Sequence, residues 1–281
     1  MTFKIITELD YSTQGQLSFL LNIRAQRNSQ QRVLEERFTL IPQMPHLEKT
    51  DEVTGNRFDL ITADLPGLYH IRYEAVVENK PVHVSASDLA ETEVQDLQLD
   101  VLGCLYASRY CQSDRLGNLA AQQFGHLETP LKKVQAVMAW IAEHIAYVSG
   151  STNASTSAVD SLVERRGVCR DFAHLGIAMC RALNIPARYF TGYAHDLQPP
   201  DFHACFETWI DHRWLLWDAT GLASPDAVVR IGTGRDAADV SVCTSFGPLM
   251  LERQSVSCQV IDPDYQKMTP EQLEHVFISH S

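Results

Sequence analysis

The sequence predicts an α+β protein in which an N-terminal β-sandwich domain precedes a core of helices and strands. The first 95 residues contain short apolar runs separated by turn residues and prolines, a pattern typical of a sandwich. Two runs with helical spacing follow between residues 130 and 183, and alternating runs lie between residues 187 and 219. This order indicates a sheet that packs against the preceding helix. A chain of 281 residues is long enough for two such domains.

The composition is that of an ordinary globular protein, with 45% hydrophobic and 21% charged residues. The net charge of −12 argues against a nucleic acid or an anionic membrane surface as the main partner. No run of about 18 apolar residues suggests a membrane span, and the first residues lack the apolar stretch of a secretory signal. Seven cysteines, an odd number, are typical of free thiols in a reducing compartment. We therefore expect a cytoplasmic protein with no nucleic-acid or membrane partner.

Four strands are predicted in the N-terminal domain. The last of them alternates most clearly between apolar and polar residues, and a turn at residues 54–57 separates the middle two. The predicted strands are residues 17–23, 33–40, 58–61 and 68–77. The acidic segment from Asp88 to Asp100 contains neither proline nor glycine and is expected to pass between the domains.

Three helices are predicted between this segment and the first candidate site residue. They are residues 113–124, 130–145 and 158–165. The second begins at Thr129-Pro130, because proline is favoured at the first helical position, and its apolar residues recur with helical spacing. A polar loop at residues 149–157 separates it from the third helix. Gly167 is then expected to turn the chain into a fourth helix.

Cys169 is expected at the start of this fourth helix and is the candidate nucleophile. Apolar residues after it recur in steps of three and four as far as Leu183, and Pro186 lies beyond the helix end. The unpaired N–H groups and the dipole at a helix N-terminus favour an anion. They would favour a thiolate over a thiol at this position, and they could hold the oxyanion of a tetrahedral intermediate.

His203 and Asp218 are predicted to meet on two paired strands. The two alternating runs that contain them are separated by Asp211-His212, a two-residue connection. A tight hairpin forms if Ile210 pairs with Arg213. In that hairpin His203 and Asp218 are diagonal neighbours on one face, roughly 7 Å apart at the backbone. The carboxylate could then hold one imidazole nitrogen while the other nitrogen faces the thiol.

Each of these residues also has a simpler interpretation. A single cysteine near a helix start is usually a small, buried hydrophobic residue. A single histidine on a strand is equally weak evidence for catalysis. A zinc site of Cys169, His203 and Cys205 is an alternative, but no other ligand pair has the spacing of a metal site. Glycines at residues 232 and 234 follow no βαβ unit and lack the lysine of a phosphate-binding loop. The three candidate residues together favour catalysis.

Three segments resemble the transglutaminase-like superfamily. They are Gly167–Ala173 (GVCRDFA), His203–Glu207 (HACFE) and Trp214–Thr220 (WLLWDAT). The resemblance implies a papain-like, transglutaminase-like core and a catalytic triad of Cys169, His203 and Asp218. The family often has tryptophan where this chain has Cys205, which is therefore expected to shape the pocket beside the histidine.

The resemblance also implies roles for residues outside the triad. An aromatic residue is expected near the oxyanion site, for which Tyr147 is best placed. Arg170 and Cys205 are further candidates for oxyanion or substrate contacts. In the N-terminal domain, the turn within residues 51–56 is similar to one that precedes a strand in bacterial members of the family.

A loop after the triad segments is similar to a family loop near the active site. Its residues Arg235, Asp236 and Asp239 are expected to form an ion-pair cluster that supports the site. A strand at residues 255–260 is then expected to close the core. The predicted domains are residues 1–97 for the β-sandwich, 98–265 for the transglutaminase-like core and 266–281 for a C-terminal tail.

The predicted function is that of a cysteine protease or related amide hydrolase that acts through a thioester. The expected substrate is a peptide or protein amide, with no cofactor and no metal. Water as the acceptor gives hydrolysis, and the absence of a D-x-D-x-D-G calcium-loop signature favours it. The alternatives are protein-glutamine transamidation, in which an amine is the acceptor, and a non-catalytic, partner-binding member of the fold. The sequence predicts no oligomeric state.

Overall fold

The computed structural model of the protein describes residues 1–90 and 94–280. In this part of the chain the strands are, in order, β1 (Thr2–Thr13), β2 (Leu17–Leu21), β3 (Gln31–Ile41), β4 (His46–Thr50), β5 (Arg57–Ala63), β6 (Gly67–Asn79), β7 (Val82–Ser85), β8 (Ala146–Tyr147), β9 (Arg166–Gly167), β10 (Ala187–Ala194), β11 (His203–Ile210), β12 (Arg213–Trp217), β13 (Val228–Gly234), β14 (Cys243–Ser245), β15 (Leu249–Val260) and β16 (Val276–Ser279). The helices are α1 (Leu99–Leu102), α2 (Ser113–Phe124), α3 (Pro130–His144), α4 (Ala158–Glu164), α5 (Cys169–Ala182) and α6 (Pro270–His275). Short 3₁₀ turns occupy Ala86–Asp88, Val94–Asp96 and Gly103–Leu105. No helix among the described residues is long and apolar enough to reach across a membrane.

Two four-stranded antiparallel sheets form the N-terminal part, with strand orders β15-β1-β6-β3 and β14-β2-β5-β4. Alternate residues of β1 and β6 are buried, because successive side chains of a strand point to opposite faces. Both sheets contribute to one hydrophobic core, which includes Phe3, Phe19 and Tyr73. The predicted β-domain ahead of a mixed core is confirmed. Its two sheets contain the four predicted strands, β2, β3, β5 and β6, together with β1, β4, β14 and β15.

A six-stranded antiparallel sheet, ordered β13-β10-β11-β12-β16-β7, forms the second part, and we call it the core sheet. Helix α5 packs on it so closely that a Cβ at Gly176 would lie 2.6 Å from the Phe206 ring. Helices α2, α3 and α4 contact α5, and their apolar residues share its core. Tyr193 of β10 and Ile231 of β13 belong to the N-terminal core. The two parts are therefore packed directly against each other.

The three helices before α5 form where the sequence predicts them, and side chains cap the first turns of α3 and α4. The Thr129 hydroxyl accepts a hydrogen bond from the Lys132 N–H at 3.3 Å, and proline follows as the first residue of α3. At the start of α4, the Asp160 carboxylate accepts from the Ser157 N–H at 2.9 Å. The acidic segment between the domains consists largely of short turns, and its residues 91–93 lie outside the described part of the chain.

The last strands of the chain pair with distant partners. β15 runs along β1, from Phe3 opposite Val260 to Thr13 opposite Leu249. The expectation that residues 255–260 close the core is therefore wrong, because this strand extends an N-terminal sheet instead. β16 pairs with both β12 and β7, so part of the predicted C-terminal tail is a strand of the core sheet. The predicted domain boundaries stay predictions.

Candidate active site

Cys169 is the first residue of α5, and the turn that leads into it is fixed by a buried acid. The Asp171 carboxylate accepts hydrogen bonds from the Val168 N–H at 2.9 Å and the Thr152 hydroxyl at 2.6 Å. A Cβ at Gly167 would lie 2.7 Å from the Cβ of Asp171, so only glycine permits this approach. Gly167 is thus required for close packing and lies in β9, not in the predicted turn. Cys169 itself is partly exposed, as a nucleophile must be.

Strands β11 and β12 form the predicted hairpin. Ile210 pairs with Arg213, and the two residues between them have φ angles of 52° and 58°. Left-handed values at both positions are typical of the turns that match the twist of a two-residue hairpin. This register makes His203 and Asp218 neighbours at the open end of the hairpin, as the sequence predicts.

His203 and Asp218 form a buried pair, with 3.0 Å between Nε2 and Oδ2. The carboxylate also accepts hydrogen bonds from the Thr220 N–H at 2.9 Å and the Ala223 N–H at 2.8 Å. These bonds orient the carboxylate, and the carboxylate keeps the imidazole proton on Nε2. The other ring nitrogen, His203 Nδ1, is buried and forms no hydrogen bond of standard length with a described residue. The Cys169 thiol interacts with the same imidazole ring and raises its pKa. The structure thus brings the three predicted residues together.

The charges at the site favour a protonated imidazole. Burial alone would lower the pKa of His203, but the Asp218 carboxylate and the Cys169 thiol raise it well above its usual value. Burial raises the pKa of Cys205 to about 11, so Cys205 is a neutral thiol near pH 7 and Asp218 is the charge that acts there. Burial would raise the pKa of Asp218, but His203 and the hydrogen-bond donors lower it. An imidazolium beside a thiol is the arrangement that stabilises a thiolate.

Tyr147 lies next to Gly167, because β8 and β9 pair in parallel. Partial burial and the Cys169 thiol raise the pKa of the Tyr147 hydroxyl, whereas His203 and a hydrogen bond from the Cys169 backbone lower it. Tyr147 is therefore a neighbour of the start of α5. Its predicted role at an oxyanion site stays a prediction.

The two other candidate residues differ in their surroundings. Arg170 Nη2 donates to Thr152 Oγ1 at 3.2 Å and to Asn153 O at 3.1 Å, so it holds the preceding loop against α5. Cys205 is buried, and its sulfur lies within 4.8 Å of ligand atoms of His203 and Asp218. In the described part of the chain this trio is the group that could share a metal ion. It does not include Cys169, which the alternative of a zinc site requires.

The loop after β13 is only partly as predicted. Arg235 pairs with Asp239 at 3.0 Å. Asp236 instead accepts hydrogen bonds from the Tyr110 N–H at 2.8 Å and the Ala238 N–H at 2.9 Å. Asp236 therefore ties the loop to the segment before α2, and the predicted three-residue ion-pair cluster is a single pair.

Two buried acids near the site are not predicted from the sequence. Asp171 supports the turn before Cys169, but an acid in the first turn of a helix is common and carries no further signal. Glu207 lies four residues after His203 on β11 and contacts Arg188 and Arg230, each at 2.6 Å. Strand alternation indicates that Glu207 shares a face with His203, but its arginine partners depend on how the sheet assembles.

Cys169 is expected to be the thiol that iodoacetamide modifies first near neutral pH. It is partly exposed and lies beside the imidazole, whereas burial raises the pKa of the other six thiols. These are Cys104, Cys111, Cys180, Cys205, Cys243 and Cys258. A raised pKa keeps a thiol protonated, so these six should react only at higher pH or on unfolding. Mass-spectrometric mapping of the modified cysteines across a pH series checks this order.

His203→Ala is the matched variant for the alkylation experiment. It removes the imidazole and leaves α5 in place, so the modification of Cys169 should slow to the rate of an ordinary exposed thiol. A rate at Cys169 that is the same with and without the imidazole would contradict the pairing of the two side chains.

Two family models match the chain. Residues 117–219 match the transglutaminase-like superfamily, and residues 1–101 match the N-terminal domain of bacterial transglutaminase. The first range contains Cys169, His203 and Asp218.

Several individual proteins are similar to this chain. A Cytophaga hutchinsonii protein, described as a "putative cysteine protease", is 41% identical, and its crystal structure superposes with a TM-score of 0.96 over 100% of this chain and 98% of that one. An uncharacterized protein of Mycobacterium leprae is 27% identical over 179 residues, which are 59% of this chain and 63% of the relative. An uncharacterized protein of Mycobacterium tuberculosis is 32% identical over 143 residues, 46% of each chain. The matches thus span only about half to two thirds of the mycobacterial relatives.

Proposed function

The chain belongs to the transglutaminase-like superfamily, and from this premise we propose that it is a cysteine enzyme that hydrolyses amide bonds. The observation that carries the proposal is the 3.0 Å contact between His203 Nε2 and Asp218 Oδ2, which leaves Nδ1 for the Cys169 thiol. Nucleophile, base and orienting acid follow one another in the order that acyl transfer requires. The likeness to a protein described as a protease supports a peptide or protein substrate.

In the first step, the Cys169 thiolate attacks the carbonyl carbon of the amide. The oxyanion that forms takes the place of the Tyr147 oxygen at the Cys169 N–H, and this N–H and the Tyr147 hydroxyl then both donate hydrogen bonds to it. The His203 imidazolium then gives its Nδ1 proton to the leaving nitrogen, and the carbon–nitrogen bond breaks. The amine departs, and a thioester on Cys169 remains.

In the second step, neutral His203 takes a proton from water as the water oxygen attacks the thioester. The carbon–sulfur bond breaks, the carboxylic acid product leaves, and the thiolate and imidazolium are restored. Asp218 stays ionised throughout and keeps Nε2 protonated. An amine in place of water would give transamidation by the same route, but the absence of a calcium-loop signature favours water.

Product analysis in ¹⁸O-labelled water tests the proposal. We expect wild-type protein, incubated with a peptide mixture, to place the label in new carboxyl groups, and added methylamine to give little amide product. Hydroxylamine should trap the thioester as a hydroxamate, and Cys169→Ala should give neither product. A predominant methylamine adduct would replace hydrolysis by transamidation. The absence of products and of a trapped acyl group would indicate a partner-binding module.

A cytoplasmic location remains part of the proposal. It is supported by the seven free thiols, because free thiols persist in a reducing compartment.

A further inference from the structure

A pocket of about 520 Å³, with several charged residues in its wall, lies between the N-terminal part and the core sheet. Its walls come from residues 26–29 after β2, from residues 53–55 before β5, and from strands β10, β12 and β13. This volume is in the range of small-molecule sites. The walls include none of Cys169, His203 and Asp218, so the pocket is separate from the candidate active site.

Two arginines on the wall share a single buried carboxylate. Glu207 Oε2 is 2.6 Å from Arg188 Nε, and Glu207 Oε1 is 2.6 Å from Arg230 Nη2. Glu207 is fully buried and Arg230 is 4% exposed. Burial alone would raise the pKa of Glu207, but the two arginines lower it, so the carboxylate is ionised. The group therefore carries one positive charge that no side chain within it offsets.

Within the part of the chain that the structure describes, the two arginines also have N–H groups that donate to no protein acceptor. Arg230 Nε is buried and has no partner among the described residues. Among the described residues, the two guanidinium groups donate hydrogen bonds to Glu207 only. The Arg188 guanidinium lies 4.1 Å over the Trp214 ring, which fixes its plane at the pocket wall. Planar guanidinium groups with free N–H donors match the geometry of carboxylate and phosphate oxygens.

The other charges on the wall do not offset this surplus. Arg235 is paired with Asp239 at 3.0 Å, and Arg27 with Glu36 at 2.6 Å. Asp100 is exposed, and solvent screens its charge. Burial lowers the pKa of Arg230 to about 10 in spite of Glu207, as expected where a buried cation is only partly compensated.

We propose that this pocket binds a small molecule through a compact oxyanion, a carboxylate or a phosphate group, held by Arg188 and Arg230. The oxyanion would offset the surplus positive charge and accept hydrogen bonds from the free N–H groups. Trp214 would flank the rest of the ligand. The site lies against β11, the strand that begins with His203. Binding there does not depend on the function proposed for Cys169.

Thermal unfolding of the whole protein at constant ionic strength tests this proposal. Inorganic phosphate and succinate are the two probes, and each is titrated against sodium chloride. A saturable rise in the unfolding temperature is expected with one or both, because a ligand that binds the folded state alone stabilises it. The probe that acts identifies the oxyanion. Shifts no larger than those in sodium chloride for both probes would overturn the proposal.

Two arginines of the same pocket provide a matched pair of variants. Arg188→Gln leaves Arg230 and Glu207 as a neutral pair, and it should weaken binding of the effective probe by about tenfold or more. Arg235→Gln removes an arginine that has its own carboxylate, and it should change the affinity by less than about threefold. Equal losses in the two variants would assign the binding to a general positive potential and overturn the proposal.

Glu207→Gln provides an independent test should Arg188→Gln fail to fold. It removes the carboxylate that Arg188 and Arg230 share, so the folded protein should bind the effective probe more tightly. Its unfolding temperature should also depend on the probe concentration more steeply than that of the wild type. An affinity that is unchanged or weaker would contradict the proposed site.

Discussion

Cys169→Ala is expected to lower kcat/KM for amide substrates by at least about 10³-fold while the protein stays folded. The variant retains His203 and Asp218 but has no atom that can form the thioester. Because Cys169 is partly exposed and begins α5, its loss leaves no sealed cavity, and alanine is a good helix former. We expect the free energy of unfolding to change by less than about 1 kcal/mol.

Steady-state rates and urea unfolding of the same preparations check both parts of this prediction. Cys243→Ala is the matched control, since Cys243 is also a partly exposed free thiol but lies in β14, in an N-terminal sheet. It should keep the wild-type activity. Turnover by Cys169→Ala above about a tenth of the wild-type rate would show that another group is the nucleophile.

The hairpin that joins His203 to Asp218 could be predicted because it depends on local geometry. A two-residue connection fixes which residues pair, and the alternation of side chains along a strand decides which of them share a face. The position of Cys169 could be predicted for a similar reason, since a helix start can be read from the spacing of the apolar residues that follow it.

Partners from distant parts of the chain could not be predicted in this way. Phe3 lies opposite Val260, but many pairings of the strands would satisfy the same alternation, and only the packing of the whole protein selects one. Glu207 illustrates the same limit within the site region. Its contacts with Arg188 and Arg230 form only when β10, β11 and β13 assemble into one sheet.

Asp218→Asn is expected to lower kcat/KM by about 10²- to 10⁴-fold and, unlike Cys169→Ala, also to destabilise the protein. The amide lacks the charge that raises the pKa of His203, so the alkaline limb of the kcat/KM–pH profile should move to lower pH. The sequence alone suggests an effect only on the imidazole. In the structure, Asp218 Oδ1 accepts a hydrogen bond from the Thr220 N–H, and Asp218 Oδ2 accepts one from the Ala223 N–H. An asparagine NH₂ must face one of these donors, at a cost of about 1–3 kcal/mol.

The pH dependence of this destabilisation gives a second check on the pair. The folded-state pKa of Asp218 is lowered, so its contribution to stability is present above roughly pH 4 and is lost as the pH falls. The folded-state pKa of His203 is raised, so its contribution is full below about pH 6.5 and is lost as the pH rises. The difference in unfolding free energy between wild type and Asp218→Asn should therefore be largest between these limits and smaller on both sides.

Thr220→Ala separates the electrostatic role of Asp218 from its role in holding the following loop. It removes the hydroxyl that donates to Asp218 Oδ1 at 2.6 Å, but it leaves the carboxylate and its contact with His203. We expect a loss of about 0.5–1.5 kcal/mol in stability, a kcat/KM within about tenfold of wild type and an unmoved alkaline limb. If Thr220→Ala lowers the rate as much as Asp218→Asn does, Asp218 acts by holding the loop. Its proposed effect on the imidazole would then be wrong.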